Sequence, residues 1–213
     1  MKKILVLVVT LVLLTGCTVV QQVDVDTIVN ETMSTKYNNL YNKVGKGYKY
    51  YLPKTLISKT TDNNNEIIKS KKCNYYLYID LISYHNKVDF NYKETTGIYY
   101  SRMIEKDNKK GVINIYENAD DKFLVKVEFN YAYVEVITDK DHLNSSVANA
   151  IIIVTSMSYN DDIIEKLLEE GLLSSIEETV DIFDSKDNQN VLEVDDTYIE
   201  EDEATKYENT WIK

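Results

Sequence analysis

The sequence predicts an α+β domain, with a mainly antiparallel sheet, an N-terminal amphipathic helix and two C-terminal helices packed on the sheet. Three observations support this class. Apolar residues follow the helical period in residues 24–44, alternate as in strands over roughly the next hundred positions, and return to the helical period after residue 141. Because helices and strands stand in separate runs, βαβ units with a parallel sheet are not expected.

The first predicted element is a helix over residues 24–44. Asp24 or Asp26 is expected to cap its start, and Gly45 its end. Few cations lie on its polar face, so we expect it to pack on the domain rather than on a membrane. The apolar residues that recur at helical steps are Val25, Ile28, Val29, Met33, Tyr37, Leu40, Tyr41 and Val44.

A long run of strands is predicted next. The first strand, residues 47–52, ends at Pro53, the only proline. Residues 56–60 and 66–69 form a hairpin around the polar stretch 62–65. Further strands are predicted at residues 74–84, 88–93, 98–104, 112–117, 122–130 and 132–138.

The strand at residues 74–84 has two different faces. Its odd positions from Tyr75 to Leu81 are apolar, whereas the even positions are Tyr76, Tyr78, Asp80, Ile82 and Tyr84. Successive side chains of a strand point to opposite faces of the sheet. One face is therefore expected in the core, and the other is expected to be aromatic and partly exposed to water.

Helices return in the last part of the domain, which spans residues 24–173. A helix beginning near Leu143, a short strand at 156–159, and a helix from Asp161 or Asp162 to Gly171 are predicted. Residues 174–213 carry 13 acidic and three basic residues. Such a block predicts a flexible tail, dispensable for folding from about Ser185. The alternative is an acidic arm that binds a basic partner or cations.

The first 17 residues have the order of a secretory signal. A basic start at residues 1–3 precedes an apolar run at 4–14, which is too short to span a bilayer. The tetrapeptide Leu14-Thr15-Gly16-Cys17 resembles the lipobox of bacterial lipoproteins, in which the Cys is acylated and becomes the N-terminus. The resemblance implies removal of residues 1–16, a lipid on Cys17, a linker at 17–23, and a place on the extracytoplasmic face of the cell membrane.

A second resemblance concerns the domain. Gly47-Tyr48-Lys49-Tyr50-Tyr51-Leu52-Pro53 resembles the opening strand of the PsbP-like superfamily. The helix at 143–155, which leads into residues 156–159, resembles that family's closing part. The resemblance implies a layered α/β sandwich that serves in binding or assembly rather than in catalysis.

The sequence contains few residues suited to catalysis or metal binding. With two His and two Cys, multi-His metal sites, cysteine-rich zinc modules and disulfide scaffolds are excluded. The net charge of −11 disfavours nucleic acid as a partner. His85 and His142 are interpreted as surface or capping residues, and Cys73 as a tolerated residue at a strand edge. No catalytic residue, metal or cofactor is therefore assigned.

Tyrosine supplies the candidate binding residues. Tyr76, Tyr78 and Tyr84 are predicted to share one strand face, and tyrosine suits binding surfaces; alternatively, it serves only as a strand former. The preferred interpretation is a non-enzymatic lipoprotein that binds another envelope protein. The second is a receptor for a small molecule, peptide or glycan, and the third is an enzyme with a carboxylate pair.

Overall fold

The structure is a computed structural model that describes residues 23–37, 40–60, 64–118 and 120–173. Together these residues form four α-helices and ten strands in two antiparallel sheets, which confirms the α+β class. None of the four described helices has the length and apolar character needed to cross a membrane. The helices are α1 (Val25–Ser34), α2 (Leu81–His85), α3 (Leu143–Thr155) and α4 (Asp161–Glu169).

The larger sheet has seven strands in the order β3-β4-β5-β9-β8-β7-β6. Its strands are β3 (Ile57–Thr60), β4 (Asn65–Lys69), β5 (Asn74–Ile79), β6 (Tyr100–Lys106), β7 (Lys109–Glu117), β8 (Lys122–Phe129) and β9 (Ala132–Asp139). The smaller sheet has the order β1-β2-β10. Its strands are β1 (Lys43–Val44), β2 (Tyr48–Tyr50) and β10 (Ser158–Tyr159).

The core lies between one face of the larger sheet and the helices α1 and α3. Helix α3 contacts β8 and β9, and α1 lies beside α3. Every second residue of β8 and β9 is buried against them, as the period of a strand requires. These buried residues are Phe123, Val125, Val127, Phe129, Ala132, Val134, Val136 and Thr138.

A buried carboxylate joins the two sheets. Glu66 of β4 is 6% exposed and accepts hydrogen bonds from the hydroxyls of Tyr48 (2.8 Å) and Tyr50 (2.6 Å) of β2. Its third donor is the hydroxyl of Ser58 in β3, at 2.6 Å. Burial and the neighbouring Glu66 carboxylate raise the pKa of both phenols, so both remain hydrogen-bond donors.

The first helix is much shorter than predicted. It ends at Ser34, because Thr35 has an extended backbone (φ −77°, ψ 135°) and its hydroxyl, like that of Ser34, donates to Glu31 O. Gly45 is therefore not a helix cap, and that prediction is wrong. It lies in the turn between β1 and β2, where a Cβ would collide with the ring of Tyr48.

Two of the predicted strands also need correction. Strand β5 ends at Ile79, where Asp80 caps α2 by accepting a hydrogen bond from Ser83 N at 2.7 Å. The predicted strand at residues 88–93 is wrong, because this segment is a loop without strand pairing. The cap of α4 is Asn160, which accepts from Ile163 N at 3.1 Å, rather than Asp161 or Asp162.

The other predicted strands are confirmed within three residues at each end. The register of the sheet places Leu77 opposite Val134 and Tyr76 opposite Glu135. Leu77 is 1% exposed, whereas Tyr76 is partly buried on the opposite face of β5. The two faces of this strand differ as predicted.

Neighbouring residues of β5 are therefore expected to respond differently to truncation. Leu77→Ala should lower the free energy of unfolding by about 2–5 kcal/mol, because it opens a cavity in the core. Tyr76→Ser should lower it by about 1 kcal/mol, because part of its ring stays in contact with water. Urea unfolding measures both. Equal losses would contradict the assignment of the two faces.

Candidate functional site

Three connections meet at one end of the larger sheet. The hairpin turns of β6–β7 and β8–β9 lie side by side there, because Gly111 pairs with Phe129. The start of α2 joins them, since Asp80 N donates to Tyr131 O at 2.9 Å. Four turn residues have the positive φ that two-residue hairpin turns require: Asp107 (52°), Asn108 (61°), Asn130 (50°) and Tyr131 (65°).

Gly111 permits the close approach of β7 and β8 at this end. A Cβ at this position would collide with Glu128 O and lie within 3 Å of Phe129. The absence of a side chain lets the Phe129 ring pack directly over the neighbouring strand. The two hairpin turns are therefore held at a fixed spacing.

Five aromatic rings cluster around these turns: Tyr84, Phe90, Tyr92, Tyr131 and Tyr159. Tyr84 stacks on Tyr159, with ring centroids 4.1 Å apart, and meets Tyr131 edge-on at 5.6 Å. Phe90 contacts Tyr131 at 5.6 Å and Tyr92 at 5.9 Å. We call this set the aromatic cluster. It connects α2, β10, a hairpin turn and the loop at residues 88–93.

Three hydroxyls of the aromatic cluster fix these elements to one another. Tyr84 donates to Asp161 Oδ1 at the start of α4 (2.8 Å), and Tyr159 donates to Asn130 O (2.6 Å). Tyr131 donates to Val88 O at 2.9 Å and so holds the loop. The rings are therefore oriented by hydrogen bonds as well as by packing.

The phenols of the aromatic cluster are protonated at neutral pH. Burial, with the hydrogen bond to Asp161, raises the pKa of Tyr84 to about 12. Burial also raises the pKa of Tyr159, and burial with the charge of Glu128 raises that of Tyr92. These groups therefore donate hydrogen bonds and are poor bases or nucleophiles.

A cavity of about 300 Å³ opens beside the aromatic cluster. Val88 and Phe90 stand at its rim, 39% and 40% exposed. Tyr92 also lines the cavity, and its hydroxyl makes no hydrogen bond within the part of the chain that the structure describes. The lining consists of Val88, Asp89, Phe90, Tyr92, Asn108, Lys109, Lys110, Asn130 and Tyr131. We call this cavity the aromatic pocket.

Tyr131 occupies an unusual position for a bulky residue. Its φ of 65° lies in the left-handed region, where glycine or asparagine is normal in a hairpin turn. Such strain persists only where the surroundings determine the conformation, and it concentrates at functional sites. Here the rings of Tyr84 and Phe90 and the bond to Val88 O hold it. The strained residue forms one wall of the aromatic pocket.

The structure separates the tyrosines predicted to share a face. Tyr76 and Tyr78 lie together on β5, opposite Glu135 and Tyr133 of β9. Tyr84 lies on α2 and belongs to the aromatic cluster, so its predicted place on that strand face is wrong. The chain turns into a helix at Asp80, which ends the alternation. Cys17 lies outside the described residues.

Sequence reasoning missed Phe90, Tyr92, Tyr131 and Tyr159 as site residues. Phe90 and Tyr92 alternate with polar residues and therefore imitate a strand. The polar turn residue Asn130, where β8 was predicted to end, is the one local signal that marks this end of the sheet. Nothing in the local sequence indicates that the turn at Asn130 and Tyr131 contacts residues about forty positions earlier, such as Val88.

The two histidines and Cys73 lie elsewhere. His142 immediately precedes α3, with Nδ1 2.6 Å from Asp139 Oδ1, and this hydrogen bond lowers the pKa of Asp139. His85 is exposed at the end of α2, and Cys73 Sγ lies 3.3 Å from Ser70 Oγ. Among the described residues, no group of three or more His, Cys, Asp or Glu is placed to hold a metal ion.

Comparison with known proteins identifies no family for this chain. No family model matches the chain, and no curated protein matches it. The crystal structure of a GTP binding regulator from Thermotoga maritima is similar over 62% of this chain and 90% of that chain, with 10% sequence identity and a TM-score of 0.23. A TM-score of that size supports no conclusion on fold or function.

Removing the Tyr131 hydroxyl should loosen the loop while leaving the domain folded. Tyr131→Phe deletes the bond to Val88 O, a contribution of about 1 kcal/mol. Hydrogen exchange at the amide of Val88 should therefore become about five times faster. Tyr99→Phe, at an exposed ring, is the control. Unchanged exchange in Tyr131→Phe would mean that ring packing alone holds the loop.

Proposed function

We propose that this chain is a membrane-anchored extracytoplasmic lipoprotein that binds a small ligand in the aromatic pocket and catalyses no reaction. The observation that carries the proposal is the pocket itself. It is an open concave site with three aromatic residues, one valine and five polar or charged residues in its lining, and its volume is typical of the smallest ligand sites. Of the roles that the sequence left open, the geometry best supports the receptor.

The state of the aromatic cluster favours binding over catalysis. Its phenols are protonated, and the hydroxyls of Tyr84, Tyr131 and Tyr159 are already engaged in fixing the walls. Walls that are already fixed lower the entropy cost of binding, because fewer side chains must be ordered when the ligand binds. An aromatic pocket of this kind orients a ligand well, and its protonated phenols do not act as bases.

The proposed anchor depends on the lipobox at residues 14–17. The described domain begins with Val23, and Val25 begins α1. The linker from Cys17 to Val23 reaches at most about 25 Å, taking about 3.5 Å for each residue. A lipid on Cys17 would therefore keep the domain close to the membrane surface, where it meets ligands that enter or leave the cell envelope.

The PsbP-like type of fold is part of the same proposal. It is supported by the strand β2 between Gly47 and Pro53, and by α3 leading into β10. The second candidate role is the binding of another envelope protein. The exposed apolar side chains of Val88 and Phe90 at the rim favour it, since such residues are typical of contact surfaces.

The anchor can be tested directly. Cys17→Ala should abolish lipid attachment and release the protein from the membrane, because a single short apolar segment without acyl chains holds a chain poorly. Fractionation and mass spectrometry of the protein from its native membrane measure this. Cys73→Ala is the control, since Cys73 lies within the domain. If the Cys17→Ala variant is processed as before and stays in the membrane, the proposed lipid anchor is wrong.

Ligand binding can be screened by thermal unfolding of the whole chain. A panel of sugars, sugar acids, amino acids and short peptides should contain a compound that raises Tm by about 5–10 °C at a concentration of about 100 Kd. Phe90→Ala should remove the effect, whereas Leu172→Ala, at a more exposed apolar site outside the pocket lining, should not. Equal shifts in all variants would place binding elsewhere, and no shift with any compound would contradict the receptor.

A further inference from the structure

The walls of the aromatic pocket discriminate between kinds of ligand. The ring of Phe90 is inclined by 61° to that of Tyr131 and by 40° to that of Tyr92. A flat nucleobase is best held between parallel rings, and no such slot exists among these three. Inclined rings form a curved wall, which suits the C–H faces of a saturated ring such as a pyranose.

The polar groups of the lining are mainly donors. Lys109 and Lys110 are both exposed lining residues. As neighbours in β7 they leave the strand on opposite faces, so one ammonium group can reach a ligand without the other. The hydroxyl of Tyr92 is a further donor. Asp89 is the one carboxylate among the lining residues. A ligand that complements this set is rich in acceptors and carries an anionic group, because charge-assisted hydrogen bonds to ammonium groups are the strongest available here.

Size limits the ligand further. A cavity of about 300 Å³ lies at the lower end of the range for ligand pockets, about 300–1,000 Å³. One or two sugar rings fit this space, whereas a folded domain or a long polymer segment does not. The amides of Asn108 and Asn130 at the turns and the carboxylate of Asp89 match the mixed donors and acceptors of sugar hydroxyls.

We propose that the aromatic pocket binds an anionic saccharide: a sugar unit that bears a carboxylate or phosphate group. The saturated ring packs on Phe90 and Tyr131. Tyr92 and Asp89 bond its hydroxyls, and the ammonium group of Lys109 or of Lys110 binds its anionic group. This inference rests on the proposed function, since it names the ligand class of the same pocket.

The test uses three probes and the full chain. Glucuronate, glucose 6-phosphate and uncharged glucose are titrated while the amide NMR signals of the protein are followed. The two anions should bind at least about fivefold more tightly than glucose and shift signals of residues 88–92, 108–110 and 130–131. Rising salt should weaken the anions but not glucose, since salt screens only the charged pairs.

Variants distinguish the contribution of charge to the affinity from that of ring packing. Lys109→Gln with Lys110→Gln should reduce the affinity for both anions to that for glucose. Lys71→Gln with Lys72→Gln, an exposed pair in the turn between β4 and β5, makes the same charge change away from the pocket and should leave affinity unchanged. Phe90→Ala should weaken all three probes, because it removes part of the wall. Signals outside the pocket report that each variant is folded.

Other outcomes overturn the inference in distinguishable ways. If glucose binds as tightly as the anions, or if the Lys109 and Lys110 variant binds the anions normally, the anionic class is wrong although the pocket still binds a sugar. If none of the probes binds but another compound raises Tm in a manner that depends on Phe90, the saccharide is wrong and the receptor stands. If none of the probes binds and no other compound raises Tm in a manner that depends on Phe90, both proposals fail.

Discussion

The carboxylate of Glu66 is the contact on which the arrangement of the two sheets depends. A buried carboxylate without partners is very costly, and its donors here come from both sheets, from Tyr48 and Tyr50 on one side and Ser58 on the other. Losing one donor would cost about 1–3 kcal/mol. Because β2 also pairs with β10, the same carboxylate fixes the strand that carries Tyr159 into the aromatic cluster. The pocket is thus positioned by a group outside it.

The sheet was largely predictable because its strands are half-buried. Alternation of apolar and polar residues, as in Phe123 to Phe129 of β8, follows from having one face in the core, and local sequence carries that signal. The end of α1 was not predictable by the same means. The helical spacing of apolar residues continues in the sequence past Ser34, where the helix ends. Tyr37, which follows that spacing, lies outside the helix and stacks on Tyr51 at 5.7 Å.

The candidate site escaped prediction because its parts become neighbours only in the folded chain. Phe90 and Tyr92 alternate like a strand, but the hydroxyl of Tyr131 fixes their segment as a loop. The role of Glu66 has no local signal either, since its donors stand eight to eighteen positions away. Tyrosine content led us to predict three binding residues, and only Tyr84 of these three lies in the aromatic cluster.

The first described residue, Val23, and the aromatic pocket lie near opposite ends of strand β9. Val23 O accepts a hydrogen bond from Asn144 Nδ2 (2.7 Å) at the start of α3, just beyond the end of β9 at Asp139. The opposite end of β9, at Ala132, carries the turn that walls the pocket. An eight-residue strand spans about 27 Å. The described chain therefore enters the domain roughly a strand's length from the mouth of the pocket, so that the pocket faces away from the end at which Val23 is held.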